Sequence, residues 1–125
     1  MKVAIVISGH LRYYEKTVES LHKYIVEPLN ADVFLHTWNV RGLQIRNSGY
    51  KIDQSDIVDP KKVEELYKPK AMVIEDWEKV KPSLNVNKYK QSSNSVPIEN
   101  ILSMFYKIWA GDVLRREYEK ENEFK

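Results

Sequence analysis

The sequence contains no cysteine, which excludes disulfide bonds, thiolate metal sites and cysteine nucleophiles. Glycine is scarce, with four residues, and neither GxGxxG nor GxxxxGK(S/T) occurs, so the usual fingerprints of dinucleotide and ATP binding are missing. Long hydrophobic runs are missing as well, because the apolar run near the N-terminus spans only residues 3–7. Such a run is too short for a signal peptide or a membrane span. We therefore expect a cytoplasmic protein with no membrane span.

The charge of the chain is nearly balanced, because 20 basic and 18 acidic residues leave a formal net charge of +2. This surplus is too small to indicate nucleic acid as the partner. Hydrophobic residues make up 42% of the chain, which is enough for a core, and 125 residues fit one domain. We expect residues 1–125 to form a single domain that binds no nucleic acid.

Short apolar segments rich in β-branched and aromatic residues predict three β-strands. They lie at residues 3–7, 32–38 and 71–74. Between them, apolar residues recur at helical spacing from Tyr14 to Leu29, and Asp59 followed by Pro60 is typical of a helix start. Strands that alternate with helices predict an α/β fold, with a mainly parallel sheet in a three-layer α/β/α domain.

The last helix is predicted to begin at Pro97 and to carry one apolar face. The apolar residues of this face are Ile98, Ile101, Leu102, Phe105, Ile108, Trp109 and Val113. Asp112 and Arg116 project onto the same face and are spaced for an ion pair along the helix. Their position marks either the end of the core or a surface that something beyond this chain covers.

Residues 78–95 form a polar stretch that is long for a connection in a compact domain, which indicates a functional loop or disorder. We expect a mobile loop in the absence of ligand, because the stretch has few apolar anchors. Four lysines against one acid give it a surplus of positive charge; they are Lys79, Lys81, Lys88 and Lys90 against Glu78. This charge either attracts a phosphate-bearing ligand when the loop closes or belongs to solvated side chains.

Ligands of parallel sheets bind beyond the carboxyl ends of the strands. This rule places a candidate site on residues 8–12, on residues 38–42 and on the stretch after Ile74. The first segment, Ser-Gly-His-Leu-Arg, is the most informative, because Gly9 permits a sharp turn beside a ligand and Arg12 can hold a phosphate with paired N–H groups. The alternative is a tight strand-to-helix turn with a solvated Arg12.

Histidines and acids near the predicted strand ends are candidates for acid–base chemistry or metal binding. His10 and His36 are predicted near the same end of adjacent strands, but neither has a partner at ligand spacing. Glu75 and Asp76 are adjacent, so on an extended chain their side chains point to opposite faces. These residues therefore predict no metal site, and His22 is predicted to be a packing residue on the first helix.

Four segments of the sequence carry a family resemblance. They are residues 2–12 (KVAIVISGHLR), the helix with Ser20-Leu21 and Pro28-Leu29, residues 31–38 (ADVFLHTW) and residues 100–125 (NILSMFYKIWAGDVLRREYEKENEFK). Together they resemble the start of a bacterial and viral family of glycosyltransferases of GT-A type. The resemblance spans nearly the whole chain apart from residues 40–59 and the polar stretch. It implies the Rossmann-like N-terminal half of a GT-A fold.

In that family the loop after the first strand binds the nucleotide of a sugar donor. The resemblance thus implies a nucleotide-binding site at Ser8, Gly9, His10 and Arg12. The segment from Met104 to Lys107 resembles a family helix that approaches the donor, so Lys107 joins the predicted site. The implied activity is that of a glycosyltransferase, or its N-terminal part, that moves a sugar from a nucleotide-sugar donor to a glycan or other acceptor. The alternative is a non-catalytic nucleotide-binding or protein-interaction module on the same scaffold.

Family members continue past the equivalent of Lys125 into a strand whose acidic motif holds a divalent metal against the donor diphosphate. The resemblance therefore implies Mn²⁺ or Mg²⁺ for the complete family domain. This sequence ends before that motif, so no metal ligand and no cofactor are expected within the chain itself. Without the next strand, residues 3–7 are expected to be an open sheet edge. We therefore expect a homo-oligomer that associates through this strand, the last helix or both.

Overall fold

The computed structural model describes residues 1–42, 54–88 and 98–122. The strands in these ranges are β1 (Ala4–Gly9), β2 (Asp32–Trp38) and β3 (Ala71–Glu75). The α-helices there are α1 (Tyr14–Leu21), α2 (Glu27–Leu29), α3 (Pro60–Tyr67), α4 (Trp77–Val80) and α5 (Ile98–Glu121). A π-helical turn, His22–Val26, joins α1 to α2, and 3₁₀ turns lie at Gln54–Asp56, Lys81–Leu84 and Val86–Lys88. No helix within the described ranges has the length and apolarity that a bilayer crossing requires.

The start and the end of α3 follow from its local sequence. Asp59 Oδ1 accepts a hydrogen bond from the Lys61 N–H at 3.1 Å, which satisfies one of the first N–H groups of the helix. Pro60 fits the first turn, where its missing N–H costs nothing. The helix ends at Lys68, which adopts a left-handed backbone with φ of 49°. The predicted start of this helix is confirmed.

The three strands form one parallel sheet in the order β1-β2-β3. Ile7 lies opposite Leu35 in the first pair of strands, and Leu35 lies opposite Met72 in the second. Helices α1 and α3 pack on the face that carries these three residues, and α5 packs on the other face. The predicted α/β fold with a parallel sheet is confirmed, and the carboxyl ends of all three strands lie at the same edge.

The main hydrophobic core lies between the sheet and helices α1 and α3. Leu35 in the central strand and Val63 on α3 are fully buried, and Tyr14 packs against Tyr67 with ring centroids 6.3 Å apart. Burial of each such aliphatic side chain stabilises the fold by about 1.5–3 kcal/mol. This core fixes the start of α1 and therefore the loop that leads into it from β1.

The predicted apolar face of α5 is only partly covered. Phe105 and Trp109 are each 60% exposed, whereas the buried strip of the helix consists of Lys107, Ala110 and Gly111. A Cβ atom at Gly111 would lie 2.8 Å from a Val6 methyl carbon, so the absence of a side chain lets the helix approach β1 closely. The expected ion pair between Asp112 and Arg116 is present at 2.9 Å on the outer side of the helix.

Much of the polar stretch is helical rather than a loop. Asp76 Oδ1 accepts a hydrogen bond from the Glu78 N–H at 3.0 Å and so caps α4, and Pro82 lies in the first turn of the 3₁₀ segment that follows. The interpretation as a loop is therefore wrong for residues 78–88, because capping and proline geometry outweigh the polar composition there. Residues 89–95 lie outside the described residues, and the expected mobility stays a prediction.

Candidate functional site

A cleft of about 550 Å³ opens at the carboxyl ends of β1 and β2. It is lined by Ser8, Gly9, His10, Arg12, Trp38, Gly42, Asn100, Ser103, Met104 and Ile108. Two of the three segments predicted from the strand ends therefore meet in one cleft, and α5 supplies its remaining wall. The third segment, after Ile74, borders a separate hollow with Asn39 and Lys79.

The loop after β1 turns sharply at two residues that border the cleft. Gly9 has φ of 98°, a conformation that side chains disfavour, and Arg12 has φ of 47°. The backbone N–H of Arg12 donates to the Arg41 carbonyl at 3.0 Å. The Arg12 side chain donates from Nη1 to the Gly42 carbonyl at 3.1 Å. The bond to Gly42 uses one of five guanidinium N–H groups, so Arg12 retains the capacity to bind an anion in the cleft.

His10 is held by the loop that follows β2. Its Nδ1 lies 3.0 Å from the Val40 carbonyl oxygen, and a carbonyl can only accept, so Nδ1 carries the hydrogen and the neutral ring has Nε2 as an acceptor. Desolvation lowers the pKa of His10; the bond to Val40 opposes this, and the positive charges of Arg12 and Lys107 lower the pKa further. The ring at the cleft is therefore a neutral hydrogen-bond acceptor near pH 7.

Gly42 borders His10 so closely that no side chain fits between them. Gly42 has φ of 75°, and a Cβ atom placed on it would lie 2.7 Å from the His10 Cβ. A glycine is therefore required at this position both for its backbone conformation and for space. The contact fixes the position of the His10 ring relative to β2.

The ion pair between Glu15 and Arg41, which the sequence did not predict, joins the first turn of α1 to the loop after β2. Arg41 binds both carboxylate oxygens of Glu15, with Nη1 at 2.6 Å from Oε2. Arg41 also donates to the carbonyls of Ser55 at 2.9 Å and Arg12 at 3.2 Å. The hydrogen bonds from Arg41 are the main reason why the pKa of Glu15 falls to about 2. Glu15 and Arg41 each stand near an element boundary in the sequence, but no spacing pattern indicated that they pair.

Lys107 does not line the cleft. Its side chain is fully buried on the sheet-facing side of α5, and Nζ lies 2.9 Å from His36 Nδ1, 2.9 Å from the Thr37 carbonyl oxygen and 3.1 Å from Glu75 Oε1. The same Glu75 oxygen accepts a hydrogen bond from the Tyr106 hydroxyl at 2.9 Å. Ser8, Gly9, His10 and Arg12 thus lie together at the cleft, whereas Lys107 lies behind its α5 wall.

The remaining polar candidates have structural partners. His22 Nε2 lies 2.8 Å from the Leu66 carbonyl oxygen and links the π-helical turn to α3, as expected of a packing residue. Asp76 caps α4, and Glu75 binds Lys107. Residues 1–42, 54–88 and 98–122 contain no group of three His, Asp or Glu side chains arranged to hold a metal ion. The Mn²⁺ or Mg²⁺ implied by the resemblance has no ligand set there, and we derive no step through it.

No family model, curated protein or solved structure matches the chain. The resemblance to GT-A glycosyltransferases therefore rests on the sequence segments quoted above. The fold agrees with it at the level of an α/β domain with a parallel sheet, and the cleft at the strand ends is the feature that bears on function.

Proposed function

We propose that this chain is a cytoplasmic glycosyltransferase, or the N-terminal part of one, that binds the nucleotide of a nucleotide-sugar donor in the cleft. The observation that supports it most is the convergence of Ser8, Gly9, His10 and Arg12 on one cleft at the strand ends. The cleft volume of about 550 Å³ is in the range of small-molecule sites.

Arg12 supplies the charge that such a ligand needs. In the transfer, an acceptor hydroxyl oxygen bonds to the anomeric carbon, the bond from that carbon to the diphosphate breaks, and the hydroxyl proton is released. Negative charge grows on the departing diphosphate, and the Arg12 guanidinium stabilises it through charge-assisted hydrogen bonds. The Nε2 atom of His10 accepts a hydrogen bond from a ligand hydroxyl, because Nδ1 is engaged with Val40. The acceptor is a glycan or another hydroxyl-bearing molecule.

The second candidate is a non-catalytic nucleotide-binding or protein-interaction module. It is favoured by the outer face of α5, where Phe105 and Trp109 are each 60% exposed and do not line the cleft. Contiguous apolar surface of this kind marks contact sites for other molecules. A homo-oligomer in which a second copy covers this face agrees with either candidate.

Calorimetric titration with uridine, guanosine, thymidine and cytidine diphosphates tests the proposal. We expect saturable binding of one of them, and we expect Arg12→Ala to weaken it tenfold to a hundredfold, since a charged hydrogen bond is worth about 1.5–3 kcal/mol. Arg116→Ala removes an exposed arginine outside the cleft and is the matched control. Unchanged affinity in Arg12→Ala contradicts the site. Binding without donor hydrolysis in the presence of Mn²⁺ or Mg²⁺ favours the non-catalytic module.

A further inference from the structure

The hydrogen bonds of Lys107 determine the protonation state of a neighbouring histidine. An ammonium group has three N–H donors and no acceptor, and the three partners of Lys107 use all of them. His36 Nδ1 must therefore accept, so the His36 ring is neutral and carries its hydrogen on Nε2. This atom lies 3.6 Å from Glu75 Oε1, the same oxygen that Lys107 binds. Burial and the charge of Lys107 lower the pKa of His36 to about 4, in agreement with a neutral ring.

Titratable groups on four parts of the fold interact with Lys107 through contact or charge. These groups are His36 on β2, Glu75 on β3, Tyr106 on α5 and His10 after β1. Burial lowers the pKa of Lys107 to about 8, and the hydrogen bond and the charge of Glu75 oppose this shift. Loss of the proton removes one donor together with the charge, so the three acceptors are no longer all satisfied.

Lys107 lies close to the residues of α5 that form the cleft wall. Asn100, Ser103 and Met104 precede it by seven, four and three residues on the same helix. At 1.5 Å per residue this places them within about 10 Å along the helix axis. The helix also approaches the sheet closely at Gly111, four residues after Lys107, where its neighbours are Val6, His36 and Ser8. Lys107 is the point nearest the Asn100–Met104 wall at which polar bonds attach the helix to the sheet.

We propose that Lys107 is a positioning residue for the cleft: its ammonium group fastens α5 to the carboxyl ends of β2 and β3 and thereby fixes the wall formed by Asn100, Ser103 and Met104. Lys107 itself does not touch the ligand. The effect on ligand affinity rests on the proposed function, whereas the fastening of the helix does not.

Methyl resonances of ¹³C-labelled methionine test the fastening without any ligand. Met104 lines the cleft and Met72 lies in the core on the opposite face of the sheet, so one reports on the wall and the other is an internal control. Between about pH 6.5 and 9.5 we expect the Met104 methyl signal to shift with a midpoint near 8. The Met72 signal stays unchanged. A Met104 signal that does not respond in this range overturns the proposal.

Two variants assign the shift to the Lys107 group. In Lys107→Met the response of Met104 disappears, whereas in Lys120→Met, which removes an exposed lysine of the same helix, it persists. Glu75→Gln removes the carboxylate that favours the ammonium, so the midpoint moves to lower pH. If Lys107→Met fails to fold, the midpoint of the Met104 titration in Glu75→Gln still tests whether Lys107 causes the shift. An unmoved midpoint there contradicts the proposal.

Affinity for the diphosphate that binds best gives the functional readout. For the wild type we expect affinity to fall about 25-fold between pH 7.5 and 9.5, because it follows the fraction of protein in which Lys107 is protonated and holds α5 in place. Lys107→Met should bind the diphosphate at least about tenfold more weakly than the wild type near pH 7.5, and its affinity should not fall further as the pH rises. Wild-type affinity and pH dependence in Lys107→Met overturn the positioning role. If no diphosphate binds the wild type, the proposed function fails, and the methionine titration still tests the fastening.

Discussion

Arg41 donates two hydrogen bonds to the carboxylate of Glu15, and this ion pair connects the loop after β2 to the first turn of α1. Both side chains are partly buried, and Lys62 on α3 adds a third charge at 3.8 Å from the carboxylate. Because Arg41 also donates to the Arg12 carbonyl, this pair supports the segment that presents the Arg12 guanidinium to the cleft. The loop that carries Arg12, the proposed anion ligand, is thus supported by a charge pair outside the cleft lining.

Glu15→Gln should destabilise the fold by about 1.5–3 kcal/mol at neutral pH, because it leaves the Arg41 guanidinium with a neutral partner. The pKa of Glu15 is about 2 in the folded state, below its usual value of 4.5. The stabilisation is therefore complete above pH 4.5 and is lost as the pH falls toward 2. Urea denaturation at pH 7 and near pH 2.5 measures it. Glu117→Gln, an exposed position on α5, should change little. Equal stability of wild type and Glu15→Gln at pH 7 contradicts this account.

Gly42→Ala should cost more stability than Gly9→Ala, although both residues have positive φ. Each substitution forces a side chain into the left-handed region at about 1–2 kcal/mol. Only at Gly42 would the new methyl group also collide with His10, since no atom lies within 4 Å of a Cβ at Gly9. Urea denaturation of the two variants gives the comparison. A smaller loss in Gly42→Ala than in Gly9→Ala would mean that the loop after β2 moves freely away from His10.

The stability of the protein should fall on mild acidification through His36. The folded ring has a pKa of about 4, whereas an unfolded chain binds this proton below pH 6.5. The unfolded state therefore holds more protons between these values, and stability decreases as the pH drops from 6.5 to 4, by up to about 3 kcal/mol. Ring resonances of His36 followed against pH give the folded pKa directly. A pKa at or above 6.5 is incompatible with the buried contact between His36 and Lys107.

The outer face of α5 should support self-association. We expect sedimentation velocity at micromolar protein to show a dimer, with at least about 1,200 Å² buried in total. The variant Phe105→Ser/Trp109→Ser removes the two most exposed aromatic residues of this face and should give a monomer. Tyr24→Ser, which removes an exposed aromatic side chain elsewhere, is the control and should remain dimeric. A monomeric wild type contradicts the prediction, and dimers that persist in the double variant would place the interface at the β1 edge.

Hydrophobic pattern predicted the sheet and the loop of the cleft but not the orientation of α5. Residues 3–7 are a β-branched run, and residues 32–38 are rich in β-branched and aromatic residues, both of which are typical of buried strands. The orientation of α5 depends on what the sheet presents to it. His36 and Glu75 form a polar patch at the strand ends, so the helix turns Lys107 inward and its larger apolar side chains outward.

The Arg41 pair could not be derived from sequence, because it depends on the path of two loops. Glu15 and Arg41 are separated by 26 positions, and each is an ordinary charged residue next to an element boundary. Only the parallel pairing of β1 with β2 brings these boundaries together. Contacts of this kind follow from the three-dimensional arrangement of strand ends, which apolar periodicity fixes only coarsely.

Gly111 sets the spacing between α5 and the sheet. A Cβ atom at this position would lie only 2.8 Å from the Val6 Cγ1 atom, so any larger residue would push the helix away from the sheet. Because the same helix carries one wall of the cleft, from Asn100 to Ile108, moving it outward would widen the cleft. The width of the cleft thus depends in part on Gly111, a residue that is not among those lining it. Substitutions of increasing side-chain size at residue 111 would widen the cleft in steps without changing the residues that line it.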